Sequence, residues 1–212
     1  MAPDPSLTLR TKGRRTQQER RESTVRKLLD AATEALIEVG YSSTSVQEIC
    51  QRAGVSHGGL FRHFSSRIEL LIHVADDVGN GLLELYRRDF ERLRKSNPDE
   101  LVLALKLLHT NTQSRLHQAW FELQLAARTD RQLHQALLPI WKRRYETTQQ
   151  FALALLPDAA RDIPDFPVLV DTMVTLFHGE AMDGFLREDH QAEKRRMDWL
   201  LMLLELLLAK KK

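Results

Sequence analysis

Apolar positions recur three and four residues apart along nearly the whole chain, which is the spacing of buried helix faces. Thr16-Gln17-Gln18-Glu19 is a capping box. The helix it opens carries Val25, Leu28, Leu29, Ala32, Leu36 and Val39 inward and should stop at Gly40. A second, short helix shows Val46, Ile49, Cys50 and Ala53 on one face, with Ser45 and Glu48 as its capping box. Ala53-Gly54 supplies a corner, because Gly takes the positive φ that a tight turn needs. Beyond it Val55 points inward, Ser56 caps a third helix, and Leu60 and Phe64 form its inner face. Ser66-Arg67-Ile68-Glu69 starts a long helix through Leu71, Val74, Val78, Leu82 and Leu85 to Leu93, weakened by Gly79 and Gly81. Asn97-Pro98-Asp99-Glu100 opens the next helix.

From Leu101 to Leu156 the pattern stays helical, with breaks expected at Asn111–Ser114 and at Thr129-Asp130, and a kink at Pro139. Pro157–Pro167, with three prolines, reads as a loop. Two helices, about Asp165–Arg187 and Gln191–Ala209, close the chain, and each is apolar over more than one face. A helix apolar on two sides must bury both, one against its own domain and the other against a partner.

Helix, glycine turn and helix within about twenty residues is the helix-turn-helix pattern. Outside its inner face the second of those helices carries donors suited to DNA: His57, Arg62 and His63. Gly58 and Gly59 leave its N-terminal backbone bare, which favours close approach of a phosphate. By itself such a pair of helices can equally be structural.

Composition agrees with an all-α chain: 212 residues hold only 9 Gly and 7 Pro. The net charge of +2 does not by itself mark a nucleic-acid binder, but its distribution is uneven. Residues 1–27 hold eight Lys/Arg against three Asp/Glu, which leaves the remainder at −3. A basic end on a mildly acidic body suits a DNA-reading end. Residues 1–15, with Arg10, Lys12, Arg14 and Arg15, are expected to be a disordered basic arm. The single cysteine, Cys50, excludes an intramolecular disulfide and points to a reducing compartment. Its place on an inner face makes it a small buried hydrophobe. No secretory segment follows Met1, and the run Trp199–Ala209 falls short of a membrane span, so a cytoplasmic protein with no membrane partner is expected. No phosphate-binding glycine loop, G-x-S-x-G or H-E-x-x-H occurs, and no metal-ligand spacing stands out. Neither catalysis nor a metal or cofactor is expected.

Residues 28–75 closely resemble the DNA-binding domain of the tetracycline-repressor (TetR) family. The matching features are Gly40-Tyr41, Thr44-Ser45-Val46, Ala53-Gly54-Val55-Ser56, Leu60-Phe61, His63-Phe64 and Arg67 with Leu70-Leu71. The resemblance implies an N-terminal three-helix helix-turn-helix DNA-binding domain, residues 16–70. A C-terminal helical ligand-binding and dimerisation domain, residues 71–212, would follow. It further implies a homodimeric transcriptional regulator, a repressor by family default, that binds a palindromic double-stranded DNA operator and leaves it when a small-molecule effector binds. A rival from another class is a helical-bundle small-molecule-binding protein or enzyme that keeps the fold without binding an operator.

Carried over residue by residue, the resemblance places DNA contacts at Thr44, Ser45, Ser56, His57, Gly58, Gly59, Phe61, Arg62, His63 and Arg67. Thr44 and Arg67 fall on phosphate-holding positions. His57 stands where the family often has lysine, and Phe61 lacks the hydroxyl of the usual tyrosine. Arg62 is the best base reader, since its planar fork suits guanine O6/N7. Aromatic and polar-tipped residues of the body are candidates for an effector pocket. They are Tyr86, His109, His117, Trp120, Phe121, Gln124, Trp141, Tyr145, Phe177 and His178. The last two helices supply the expected dimer interface through Met173, Phe177, Phe185, Leu200, Leu204 and Leu207.

Overall fold

Capping fixes where the first helix begins. In the structure, a computed structural model that describes residues 16–187 and 189–209 with side chains as far as Leu206, Thr16 Oγ1 accepts the Glu19 N–H at 3.1 Å. Glu19 returns a carboxylate oxygen to the Thr16 N–H at 2.8 Å. The expected basic arm and the Leu207 side chain lie outside the described residues. The chain is all-α: among the described residues there are ten α-helices, one 3-10 turn at Arg94–Ser96, and no strand.

Helix α1 is Gln17–Ser43, but Gly40 at φ +75° interrupts its helical backbone where the sequence places the stop. α2 (Val46–Ala53) ends on Gly54 at φ +64°, the left-handed corner that a side chain would strain. α3 is only His57–Phe61, too short to be stable alone. Leu60, fully buried, pins it to α1, α2 and α4. Burying one leucine contributes roughly 1.5–3 kcal/mol, enough to hold a single helical turn. α4 (Arg67–Leu93) is launched by Ser66 Oγ accepting the Glu69 N–H at 3.1 Å. α5 (Glu100–Thr112), α6 (Arg115–Ala127) and α7 (Arg131–Leu155) start on Asp99, Ser114 and Asp130, each of which accepts a first-turn N–H.

The remainder differs from expectation after Leu156. The proline-rich segment after Leu156 is not all loop: Pro157 occupies the first turn of a short α8 (Pro157–Asp162). Pro139 lies inside α7, the helix it is expected to kink. α9 (Phe166–Asp183) and α10 (His190–Ala209) complete the chain.

The largest apolar cluster runs from Leu28 and Leu36 on α1 through Ile49, Leu60, Phe64 and Leu71 to Trp120, Leu123 and Leu133. It therefore crosses the expected boundary at residue 70, which falls inside α4. A second cluster gathers Phe90, Leu103, Leu156, Ile163 and Phe166. A third holds Leu105, Met173, Phe177, Leu200 and Leu204. That third cluster corrects the expected interface. Met173, Phe177, Leu200 and Leu204 are buried within this chain against α5. The large apolar residues facing outward are Val168 and Leu176 on α9, Phe185 and Leu186 just after it, and Trp199, Met202 and Leu206 on α10. Periodicity shows that these helices have two apolar faces but not which one the chain's own α5 covers.

Candidate nucleic-acid interface and internal cavity

The corner between α2 and α3 presents a small set of side chains outward. Ser45, Ser56, His57, Gly58, Phe61 and Arg62 are exposed, Phe61 to 50%. Ser45 Oγ accepts the Glu48 N–H and Ser56 Oγ the Gly59 N–H, each at 3.1 Å, so both hydroxyls start their helices. The two glycines of α3 have different reasons. A Cβ at Gly58 would meet nothing, whereas one at Gly59 would stand 2.8 Å from Val55 Cγ1. Gly59 is thus a close-packing residue, and only Gly58 leaves open backbone. His63 is partly covered, and its Nδ1 is enclosed without a hydrogen-bond partner.

Two expected phosphate contacts face the protein instead. Thr44 has no exposed surface, and its hydroxyl donates to the Gly40 carbonyl at 2.7 Å. Arg67 donates through Nε to the Thr44 carbonyl at 2.7 Å and through a terminal nitrogen to the Tyr41 carbonyl. Its guanidinium also lies 4.2 Å over the Tyr41 ring. At the end of α1 the Thr44 N–H caps the Gly40 and Tyr41 carbonyls, the Thr44 hydroxyl adds a second donor to Gly40, and Arg67 adds donors to Tyr41 and Thr44. Arg52 is likewise held, between Glu38 at 2.5 Å and Glu48 at 2.6 Å. Of Arg52, Arg62 and Arg67, only Arg62 is left without an ion pair or hydrogen bond among the described residues.

The same break ties this corner to the body. The Tyr41 N–H donates to Glu122 Oε2 of α6 at 3.0 Å, and the Tyr41 hydroxyl donates to Asp130 at 2.5 Å. Arg115 of α6 reaches both Glu34 and Glu38 of α1. Nothing in the spacing of Glu122 or Asp130 marks these contacts, which depend on how α6 crosses α1.

A cavity of about 200 Å³ lies between α4, α5, α6, α7 and α9. Of the ten residues expected in a pocket, Tyr86, His117 and His178 line it. Tyr86 donates to the Ala104 carbonyl at 2.8 Å, and burial pushes its phenol up. The two imidazoles meet Nε2 to Nε2 at 3.0 Å. Burial is the first cause that pushes His117 down to about 2, aided by His178 and Arg144. Burial, then Arg144, pushes His178 down to about 4. Both rings are therefore neutral near pH 7, one donating and the other accepting.

The other seven expected pocket residues lie elsewhere. Trp120 and Phe121 are core, with Phe121 packed on the two histidine rings at 4.8 and 5.5 Å. Phe177 belongs to the third cluster, and His109 stacks edge-on to it at 5.2 Å. His109 also pairs with Glu180 at 3.2 Å, which in turn holds Arg196. Gln124 is partly covered on α6 away from the cavity. Trp141 and Tyr145 stack on each other at 5.7 Å on the exposed side of α7.

Arg144 went unpredicted, although the inner stripe of α7 leads to it. Leu133, Leu137 and Ile140 are buried, and the next position in that series is Arg144. The run Lys142-Arg143-Arg144 instead suggests a solvated face. Cys50 is buried and free, its thiol pushed up by burial, as a packing residue should be. Among the described residues no group of three or more His, Cys, Asp or Glu could hold a metal ion. No described helix is long and apolar enough to cross a membrane.

A helix-turn-helix with an exposed outer corner, braced on a helical body that encloses a cavity, is the build of a DNA-binding transcriptional regulator. Residues 28–74 match the family model of bacterial regulatory proteins, tetR family. An uncharacterized HTH-type transcriptional regulator of Mycobacterium tuberculosis is 35% identical over 192 residues, 90% of this chain and 97% of its own. The chain belongs to the tetR family. A TetR transcription regulator of Haloarcula marismortui shares the fold, with a TM-score of 0.67 at 17% identity over 88% of this chain and 98% of that one. A transcriptional regulator from Rhodococcus sp. Rha1 gives 0.62 at 22% identity over 76% and 82%.

Proposed function

We propose that two copies of this chain bind one palindromic DNA operator through their α2–α3 corners, and that a small molecule in the cavity releases them. One observation carries the coupling: α4 and α6 each run from the cavity wall to the helix-turn-helix. α4 lines the cavity with Asp76, Gly79 and Tyr86 and begins with Arg67 on the Tyr41 and Thr44 carbonyls. α6 lines it with His117 and holds α1 through Glu122 and Arg115. A ligand that shifts either helix moves the corner with it, provided it binds the two arrangements with different affinity.

On the DNA side, Arg62 reads a base while Ser45, Ser56, His57, Gly58 and Phe61 face the duplex. Thr44 and Arg67 set the shape of the corner from inside. The dimer forms through the outward residues of α9, the turn after it and α10, with Phe185 of that turn retained from the expected set and Trp199, Met202 and Leu206 added. The two corners then lie about one DNA turn apart, ~34 Å or a multiple, as twofold half-sites require. Repression is the direction proposed.

Selection of bound duplexes from a random pool tests this. A palindrome with two equal half-sites is expected. Recovery of unrelated sequences, or of none, would favour a carrier or enzyme that keeps the fold without an operator.

A further inference from the structure

Arg144 is a cation without a counter-ion in the wall of the cavity. Its Nη1 is enclosed and has no hydrogen-bond partner. Its guanidinium carbon stands 4.7 Å over the Trp120 ring, which offsets part of the lost hydration. Room for it is made by Gly79 of α4, where a Cβ would stand 2.9 Å from Nη1. That explains a glycine in the middle of a long helix, where the residue otherwise weakens the element.

Among the described residues the surroundings supply no anion. Asp76 is the one acidic residue lining the cavity, and Arg143 already holds it at 2.7 Å. His117 and His178, beside Arg144, are neutral and bonded to each other. An enclosed charge is strongly unfavourable unless something pairs with it. Asn80, Asn111, Thr147, Thr148 and Tyr86 add neutral polar groups, and the remaining residues of the wall are apolar. Leu101, Leu155, Phe166 and Leu169 line the cavity and pack in or against the second cluster, whereas Arg144 lies on Trp120 of the first. The cavity thus has one cationic end and one apolar end.

We propose that the cavity takes an amphipathic monocarboxylate, its head on Arg144 at the end that carries the histidine pair and its hydrocarbon among Leu101, Leu155, Phe166 and Leu169. This rests on the cavity being the effector site and adds the chemical class of the effector. A carboxylate accepts two donors from a guanidinium fork, which neither an alcohol nor an amine can do.

The test uses octanoate, octanol and octylamine as probes of equal length, titrated calorimetrically into the full chain. Octanoate should bind at least tenfold more tightly than octanol, and octylamine should not bind. Arg144→Met should bring octanoate down to the octanol level, a loss of tenfold or more. If that variant misfolds, Gly79→Ala serves instead, since it strengthens α4 while displacing the guanidinium, and it should also weaken octanoate severalfold. Octanol or octylamine binding as tightly as octanoate, or octanoate unchanged in the variants, overturns the carboxylate assignment and leaves the cavity standing as a ligand site. Binding of none of the three overturns both.

Discussion

The backbone N–H of Tyr41 donates to the Glu122 side chain at 3.0 Å, so the residue after the break in α1 is held by the middle of α6. Gly40 makes the contact possible: its positive φ turns the N–H out of the helix, and a Cβ there would stand 3.2 Å from Glu122 Oε2. Glu122→Ala would leave a partly buried N–H unpaired, at roughly 1.5–3 kcal/mol for a bond to a charged group. Urea denaturation should show that loss. The variant's operator complex should also respond less to any ligand of the cavity, because α6 then holds α1 only through Arg115 and its ion pairs with Glu34 and Glu38. Wild-type stability and response would detach α6 from the signal.

Arg62 and Arg67 separate binding from folding. Arg62→Ala should leave the melting temperature within about a degree of wild type, since exposed substitutions usually change stability by less than 0.5 kcal/mol. It should cost roughly 1–3 kcal/mol of operator binding and relax the preference at one position per half-site. Arg67→Ala removes charged donors from the Thr44 and Tyr41 carbonyls. It should destabilise the chain by roughly 1.5–3 kcal/mol. An Arg67→Ala protein as stable as wild type but weaker on every DNA sequence would restore Arg67 to the phosphate backbone.

Much of this was legible in the sequence. Caps at Thr16, Ser45, Ser56, Ser66 and Asp130 all accept the first-turn N–H groups expected of them, whereas α5 starts on Asp99 and not, as expected, on Asn97 with Pro98 in the first turn. Gly40 and Gly54 both take positive φ. These features are local, and a cap or a turn is decided within a few residues. What stayed hidden depends on residues far apart in the chain. Arg67 turns inward onto the Thr44 and Tyr41 carbonyls, 23 and 26 positions back, and Arg144 is enclosed because Gly79, 65 positions away, has no side chain. Aromatic character likewise says nothing about direction. Trp141 and Tyr145 look outward, while Phe151 of the same helix lines the cavity.

Acid should destabilise the chain through its two neutral histidines. Unfolded imidazole titrates near 6.5. In the folded chain His178 is pushed down to about 4 and His117 to about 2. Between pH 6.5 and 4 the unfolded chain therefore binds protons that the folded chain does not, and stability falls as pH falls through that window. Above pH 6.5 the two rings add no slope. The limit is about 1.4 kcal/mol per pH unit for each ring. Urea titrations at pH 7, 6 and 5 should show the decline, and His178→Gln should reduce its slope by up to one proton. A flat wild-type profile would mean that the rings are solvated.

The faces of α9 and α10 can be told apart by two substitutions. Trp199 is 57% exposed, whereas Leu204 is 5% exposed and packed with Met173 and Phe177. Trp199→Arg should give folded monomers by light scattering. Leu204→Arg should instead unfold the C-terminal helices or lower the melting temperature by several degrees, because it buries a charge inside one chain. Monomers from Leu204→Arg with an unchanged melt would reverse the faces.

That two copies read one twofold site is tested most directly by sedimentation of the chain with the selected duplex, alongside a scrambled duplex of equal length. Two chains per selected duplex are expected, or four if dimers pair on one site. No complex with a single chain should form, and affinity for the scrambled duplex should be at least a thousandfold weaker, on the order of the usual gap between specific and non-specific binding. One chain per duplex, with equal affinity for both sequences, would contradict the proposal.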